Sequence, residues 1–341
     1  MDPISQAALG ACAAVAVAGH RLPRVSVAIG LMAGAAPDLD VLIRSDTDPL
    51  VWFIYHRHFT HALLFVPFGA AVCAALFAAA PSLRAEWRAV FLASIAAFAT
   101  HGFLDAATSY GTLLLWPFSN ARIEWDILPI VDIVLTPVML AGLVVAFWKK
   151  ARWPVVVALA FFILYCGFGI VQRERAQGWQ GQLAEARGDV IEHARTMPAP
   201  GSLMVWRSIY RTPDGELQAD GLRLVPFRSA QAIPGERTRA ATPENLPDTP
   251  EAERIWRVFN WFADGYIVSP GGDRLILADG RYSAEGTGWV PMWGVRMAAD
   301  GESATSWSPP QGRDGFAGRL WRLLIGSDER LRPARDVVEG L

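Results

Sequence analysis

Residues 25–43 read VSVAIGLMAGAAPDLDVLI, an apolar run in which a proline and two aspartates follow the last alanine. A helix needs about 20 apolar residues to cross the hydrocarbon core of a bilayer, with a working range of about 17–25. The run therefore predicts a membrane span with two carboxylates near one end. A carboxylate near the bilayer centre costs about 2.5–3.5 kcal/mol, so it is normally paired and functional. This stretch predicts a membrane fold and a polar site within it.

Apolar runs of similar length lie on both sides of this one. They cover residues 60–80, 89–108, 127–148 and 153–171, and a shorter Ala-rich run covers residues 4–19. The pattern predicts a membrane all-α helical bundle of about six transmembrane helices, formed by residues 1–171. The lipid bilayer is then the first partner of the chain.

The composition changes at Gln172, where charged residues, Gly and Pro become frequent. Residues 172–199 have helical periodicity and predict an amphipathic connecting helix. Residues 200–341 contain short, partly alternating stretches between Gly-containing turns, which predict a small β-rich extramembrane domain. Within it, RVFNWFADGY at 257–266 is expected to be extended, and the Pro-, Glu- and Arg-rich residues 229–254 are expected to form a loop.

Charge and cysteine content exclude two classes of protein. The formal net charge is -2, which gives no sign of nucleic-acid binding. The 3 cysteines lie in apolar runs without CxxC spacing, so neither a disulfide framework nor a thiolate zinc site is expected.

The short loops predict the orientation of the helices, because cytoplasmic loops carry an excess of Lys and Arg. With six spans, the loops after helices one, three and five lie on one side and are the basic ones. They contain Arg21, Arg24, Arg84, Arg88, Lys149, Lys150 and Arg152. That side is expected to be cytoplasmic, in a bacterial inner membrane. The C-terminal domain is then expected on the periplasmic side.

Ionisable residues from four different apolar segments fall at the opposite, outer depth. They are Asp38, Asp40, His56, His61, His101, Asp105 and Asp132. His101 and Asp105 are four residues apart, which places both on one face of a helix. Asp38 and Asp40 follow Pro37, which favours a non-helical bend that lets both carboxylates converge.

Several carboxylates at one depth repel one another, and a divalent cation removes that repulsion. Imidazole and carboxylate ligands together suit zinc first, and manganese or iron next. Such an ion activates water and polarises a phosphoryl or carbonyl oxygen. The sequence therefore predicts a metal site, with Asp38, Asp40 and Asp132 as candidate catalytic carboxylates and Arg57 as a clamp for an anionic substrate.

Five stretches in this order carry a family resemblance: DPISQAALGA, APDLDVL, YHRHFTHALLF, HGFLDAATSYGTLLLWPFS and IVDIVLTP. Together they resemble the YdjM-like family of inner-membrane metal-dependent hydrolases over about residues 1–150. The resemblance implies a metal site formed by Asp38, Asp40, His56, His61, His101 and Asp105, with Asp132 at a position where the family tends to have an aspartate.

The chain departs from the family pattern at three positions. Gln6 stands where relatives often have histidine, so one ligand is missing or replaced by an amide. His58 stands where a small residue is usual, and Ala62 where serine is frequent. These differences leave the other motif residues unchanged.

The expected activity is hydrolysis of an ester or phosphoester in a lipid or lipid-linked substrate, because the site lies close to the membrane interface. Two other classes stay open. One is a non-catalytic membrane protein whose polar or metal cluster is structural, and the other is a transporter. A transport route should continue across the membrane, but the inner halves of these segments carry few polar residues.

Overall fold

The computed structural model describes residues 1–309 and 315–341 and divides the chain into two compact units. The first unit consists of Met1–Ile43, Tyr55–Ile170 and Pro200–Ser202. The second consists of Arg44–Ile54, Val171–Ala199 and Leu203–Leu341.

Helices build the first unit. Their bounds are α1 Pro3–Ala18, α2 Val25–Ala35, α3 Leu50–Tyr55, α4 Val66–Ala78, α5 Pro81–Arg84, α6 Trp87–Ala106, α7 Leu135–Lys149 and α8 Trp153–Arg187. Three 3-10 segments, Ala36–Leu42, Phe59–His61 and Leu63–Phe65, interrupt the α-helices. Only the last residue of α3 belongs to this unit, and α8 continues into the second unit from Val171.

Glycines let α1 and α2 approach until their backbones touch. A Cβ atom on Gly30 would lie 2.4 Å from the Cα of Ala11, and one on Gly10 would lie 2.7 Å from the carbonyl oxygen of Gly30. Small residues at such crossings are typical of helix packing in membranes. Both helices also pack against α6, in a core of alanines with Ile29 and Phe98. This packing fixes the ends of α2 and α6 beside each other.

The number of long apolar helices is lower than predicted. Among residues 1–309 and 315–341, Val25–Leu42, Trp87–Ala106 and Trp153–Arg187 are long and apolar enough to cross a membrane. A fourth candidate is the pair Leu50–His61 and Leu63–Ala78, which is bent by 56°. Six transmembrane helices are therefore not confirmed. The remaining apolar helices, α1 and α7, have 16 and 15 residues.

Two predicted boundaries shift for local reasons. The segment expected to start at 127 becomes helical only at Leu135, because the carboxylate of Asp132 accepts the N–H groups of Val134 and Leu135 and ends the preceding loop. The connecting helix expected at residues 172–199 is instead a continuation of α8 that ends at Arg187, and His193–Pro198 form strand β1. This continuation buries one side through Gln172, Ala176 and Gln180, which are spaced at helical intervals.

The second unit contains two antiparallel sheets, most of α3, the end of α8 and the helices α9 to α11, which confirms a β-rich domain after the helical region. The strands are β1 His193–Pro198, β2 Val205–Arg211, β3 Glu216–Arg223, β4 Gln231–Arg239, β5 Ile267–Val268, β6 Ile276–Asp279, β7 Gly294–Met297, β8 Ala304–Trp307 and β9 Arg332–Pro333. The sheet orders are β1-β2-β3-β4-β9 and β5-β6-β7-β8. The helices are α9 Pro250–Phe262, α10 Phe316–Ile325 and α11 Ala334–Glu339.

Two expectations for this domain are wrong. Most of the stretch 257–266, expected to be extended, lies in α9, where Ile255, Phe259 and Phe262 are fully buried at helical spacing. Thr249 accepts the N–H of Ala252 and caps this helix. The expected loop 229–254 contains β4, which extends the sheet beside β3.

The segment Arg44–Ile54 belongs to the second unit although it lies between two N-terminal motifs in sequence. The ring of Phe53 contacts those of Phe259 and Phe262, with centroids 5.3 and 4.7 Å apart. Arg254 and Asp48 form an ion pair at 2.5 Å. The segment thus packs on α9 through both apolar and charged contacts.

Candidate metal centre

Four side chains of the first unit bring one possible metal ligand atom each within 4.8 Å of one another. They are Asp38, His61, His101 and Asp105. His61, His101 and Asp105 are fully buried as side chains, and the side chain of Asp38 is 20% exposed. They come from three chain segments: the 3-10 turn after α2, the 3-10 turn Phe59–His61, and the last two turns of α6.

Five of the six distances between these atoms are close to those of a tetrahedral ion site, and the sixth, between Asp38 and Asp105, lies within 4.8 Å. Donor atoms around tetrahedral zinc lie about 3.3–3.6 Å apart, because each is about 2.0–2.2 Å from the ion. The Nε2 atoms of His61 and His101 are 3.0 Å apart. They lie 3.5 and 3.4 Å from Oδ1 of Asp38, and 3.1 and 3.4 Å from Oδ2 of Asp105. These distances leave the four atoms arranged around one point.

A backbone carbonyl orients His101. Its Nδ1 lies 2.6 Å from the carbonyl oxygen of Gly34 in α2, and a carbonyl can only accept a hydrogen bond. Nδ1 therefore carries the proton, and the lone pair of Nε2 points into the cluster. Hydrogen bonding of the other ring nitrogen is usual for metal-ligating histidines.

Asp40 orients His61 in a similar way. Its Oδ2 lies 3.3 Å from Nδ1 of His61 and accepts the hydroxyl of Thr60 and the N–H of Arg57. The Thr60 hydroxyl is also 3.0 Å from Nδ1 of His61. With its own proton donated to Asp40, this hydroxyl is left as an acceptor for the Nδ1 proton. The Nε2 lone pair of His61 then faces that of His101.

His56 lies beside Asp40 and outside the group of four ligand atoms. Its Nδ1 is 2.9 Å from Oδ1 of Asp40, and its ring packs 5.6 Å from that of Tyr110. The structure thus places Asp40 and His56, both predicted as ligands, behind His61. His58 is more distant, with its ring against Trp116.

The two oxygens of Asp105 have different surroundings. Oδ1 accepts the side-chain amide of Gln6 at 2.8 Å and the Met1 amino group. Oδ2 is buried and accepts no hydrogen bond within the described residues. It is the oxygen that faces the imidazoles. A buried carboxylate oxygen without a hydrogen-bond donor is costly, and a cation at this point satisfies it together with the two Nε2 lone pairs.

Arg57 supplies positive charge at the rim of the cluster. Its Nε is 3.3 Å from Oδ2 of Asp105, its Nη1 donates to Thr108 at 3.2 Å, and its guanidinium lies over the ring of Tyr110. Arg57 has a φ of 63°, in the left-handed region. That conformation turns the backbone N–H towards Asp40 while the side chain reaches Asp105.

Asp132 does not join the cluster. Its Oδ1 accepts the N–H groups of Val134 and Leu135, and its Oδ2 accepts the hydroxyl of Tyr165 at 2.8 Å. In this position the carboxylate stabilises the turn that leads into α7. Sequence reasoning also missed the carbonyl of Gly34, since a backbone ligand partner leaves no side-chain signal. Gln6, where a ligand was expected to be missing or replaced by an amide, donates its side-chain amide to Asp105.

Residues 1–176 match a family described as YdjM inner membrane protein. A relative from Bacillus subtilis (strain 168), named uncharacterized protein YfhP, is 27% identical over 169 residues, which cover 49% of this chain and 50% of the relative. The chain thus spans about half the length of that relative. No solved structure matches it.

Proposed function

This chain belongs to the YdjM family of inner membrane proteins, and we propose that it is a metal-dependent hydrolase of that membrane. The substrate class is an ester, most of all a phosphoester, of a lipid or lipid-linked molecule. One observation carries the proposal: two imidazole nitrogens and a buried carboxylate oxygen that accepts no hydrogen bond within the described residues face the same point. Such a set of donor atoms attracts a divalent cation, and an ion at this point would explain why the atoms face one another.

The donors fit zinc, with manganese or iron as the next choices. Asp38, His61, His101 and Asp105 would hold the ion, which matches the mixed nitrogen and oxygen sets of these metals. When bound, the ion would supply Lewis acidity, which activates water and polarises an ester oxygen. The carboxylate oxygens of Asp38 and Asp105 lie within 4.8 Å of each other. At an effective dielectric constant of about 20, two such charges repel by about 3–4 kcal/mol, and a bound cation would offset this repulsion.

The protein groups have distinct roles in this proposal. Asp38 is the one member of the four that is partly exposed, so we assign it to accept a proton from the attacking water. Asp40 and the carbonyl of Gly34 keep the two imidazoles in the required tautomers. Arg57 places a positive charge where a phosphoester would bring negative charge.

A structural metal site is the second candidate, and a specific observation favours it. Four protein ligands around one ion close the tetrahedron, as in structural zinc sites, whereas catalytic sites keep one position open. Because the ligands come from three segments, an ion here would link α2, α6 and the turn before α4. This alternative predicts a metal-dependent melting temperature without hydrolysis.

The orientation is also part of the proposal. Basic residues in the loops Arg21–Arg24, Arg84–Arg88 and Lys149–Arg152 support a cytoplasmic location for that side. The metal centre would then lie towards the periplasm. Reporter fusions at residues 85 and 200 should give cytoplasmic and periplasmic signals, respectively, and the reverse pattern would contradict the orientation.

The decisive experiment measures metal content and hydrolysis on the same detergent-purified samples of the full chain. Elemental mass spectrometry gives the metal stoichiometry, and a panel of phosphomonoesters, phosphodiesters and phospholipids tests for hydrolysis. The variants are Asp105→Asn in the cluster and His58→Ala outside it.

We expect about one equivalent of metal per four-ligand site, lost with hydrolysis in Asp105→Asn and kept in His58→Ala. Metal without hydrolysis of any ester would favour the structural site. Absence of metal from the wild-type protein, even after incubation with zinc, manganese or iron, would overturn both candidates.

A further inference from the structure

One surface of the second unit combines exposed apolar side chains with arginines. Phe227 is 107% exposed, Trp321 is 58% exposed and Ile325 is 52% exposed. Phe227 also has a φ of 59°, which is rare for a bulky side chain. A strained backbone that presents an aromatic ring to the outside is a reason to look for a function.

A cavity of about 340 Å³ lies beside these side chains, and its lining includes Arg223, Arg228, Ser229 and Ile325. Arg223 donates to the carbonyl of Leu324 and to the side chain of Gln231. Burial and then the charge of Arg228 lower the pKa of Arg223 below its ordinary value. An anion between the two guanidinium groups would relieve that repulsion.

Arg228 is available to such an anion. Its side chain is exposed and makes no hydrogen bond or ion pair with residues 1–309 or 315–341. Phe227 is its neighbour in sequence, so the ring and the charge are presented together. The turn that carries them connects β3 to β4.

Helix α10 supplies the other side of the surface. Leu323 faces inward and is buried, whereas Trp321 and Ile325 are four residues apart and share an exposed edge. Arg322 is exposed next to Trp321. An apolar edge flanked by arginines is typical of helices that lie in the interface of a membrane.

We propose that the surface formed by Phe227, Arg228, Arg322, Trp321 and Ile325 binds the anionic phospholipid headgroups of a bilayer. Charge complementarity selects this occupant, because the arginines would hold lipid phosphates. Trp321 and Phe227 would enter the headgroup region, where aromatic side chains are favoured. A bilayer suits side chains that protrude, whereas an acidic protein partner would have to supply a matching pocket. The site is separate from the metal centre and does not depend on its activity.

Hydrogen–deuterium exchange on the full chain in nanodiscs tests the proposal. One nanodisc contains only phosphatidylcholine, and the other contains an equal mixture of phosphatidylcholine and phosphatidylglycerol. We expect backbone exchange in residues 315–326 and 224–230 to slow in the anionic nanodisc by about fivefold for each arginine engaged. The double variant Arg228→Gln with Arg322→Gln should lose this protection. The matched control is Arg257→Gln, an exposed arginine on α9 whose side chain is 69% exposed.

Phe227→Gly provides a second variant that the fold should accept, since glycine adopts positive φ readily. It should reduce protection while leaving the melting temperature unchanged. Equal exchange in both nanodiscs would overturn the proposal. So would protection produced by inorganic phosphate in phosphatidylcholine nanodiscs, which would indicate a site for a soluble anion. Loss of protection in Arg257→Gln to the same degree would also refute a localised surface.

Discussion

Replacing His101 by alanine should weaken metal binding by about 100- to 1000-fold. The side chain is 0% exposed and contributes one of four ligand atoms. Structural zinc sites bind with about 10–16 kcal/mol, so an equal share for each ligand is about 2.5–4 kcal/mol. Since about 1.4 kcal/mol is a factor of ten in affinity, the loss of one ligand gives the stated range.

The assay is competition between the detergent-purified full chain and a chromogenic zinc chelator. His58→Ala is the matched control, because it removes the same side chain from the same region, where the ring packs near Trp116 outside the cluster. Its affinity should stay within about threefold of the wild type, or less than about 1 kcal/mol. A melting curve for each variant shows whether the samples are folded.

Two results would refute the reasoning. If His101→Ala bound zinc within about threefold of the wild type, the four atoms would not be the ligands. If His58→Ala lost as much affinity as His101→Ala, the effect would reflect general destabilisation. Either outcome would refute the assignment of these four residues as a metal site.

Three further predictions concern the support of the site and the two units. Asp40→Asn should weaken zinc binding by about 10- to 100-fold, because it orients a ligand, and the same chelator competition measures this. Gly30→Ala should lower the melting temperature, since its Cβ would lie 2.4 Å from the backbone of α1, whereas Gly167→Ala, with open space, should not. Burial alone would raise the pKa of Asp264, but its hydrogen bond with His193 and the charge of Arg195 lower it overall. The stabilisation by this carboxylate should be present above the unfolded pKa of about 3.9 and be lost as the pH falls through the lower, folded pKa. The melting-temperature difference between wild type and Asp264→Asn should thus not shrink between pH 7 and pH 5 and should be lost only in stronger acid; shrinkage already at pH 6 would contradict the assignment.

The sequence predicted the polar residues of the site better than their arrangement. Helical spacing places His101 and Asp105 on one face of α6, and the proline before Asp38 indicated the 3-10 turn that follows α2. Asp38 joins the four ligand atoms, whereas Asp40 lies behind His61. This difference depends on the direction in which each side chain leaves the turn. Neither the composition nor the spacing of the residues contains information about these side-chain directions.

The helices were predictable where a long apolar run determines them. They were missed where contacts between residues distant in sequence determine the secondary structure. Apolar length predicted α6 and the first half of α8 well. Six spans are not confirmed, because Asp132 delays the start of α7 and the turns around His61 shorten α4. In α9, aromatic residues favoured a strand by composition, but burial of Phe259 and Phe262 against Phe53 stabilises a helix.

The hydrogen bond from His101 to the carbonyl of Gly34 has a consequence for the biogenesis of this protein. The two residues are 67 positions apart in the chain. At a synthesis rate of about 5–20 residues per second, His101 is made about 3–13 s after Gly34. During that interval Asp38 and its neighbours are already present without the imidazole that completes the ligand set. The order of synthesis therefore delays selective metal capture until α6 has been made and has docked against α2.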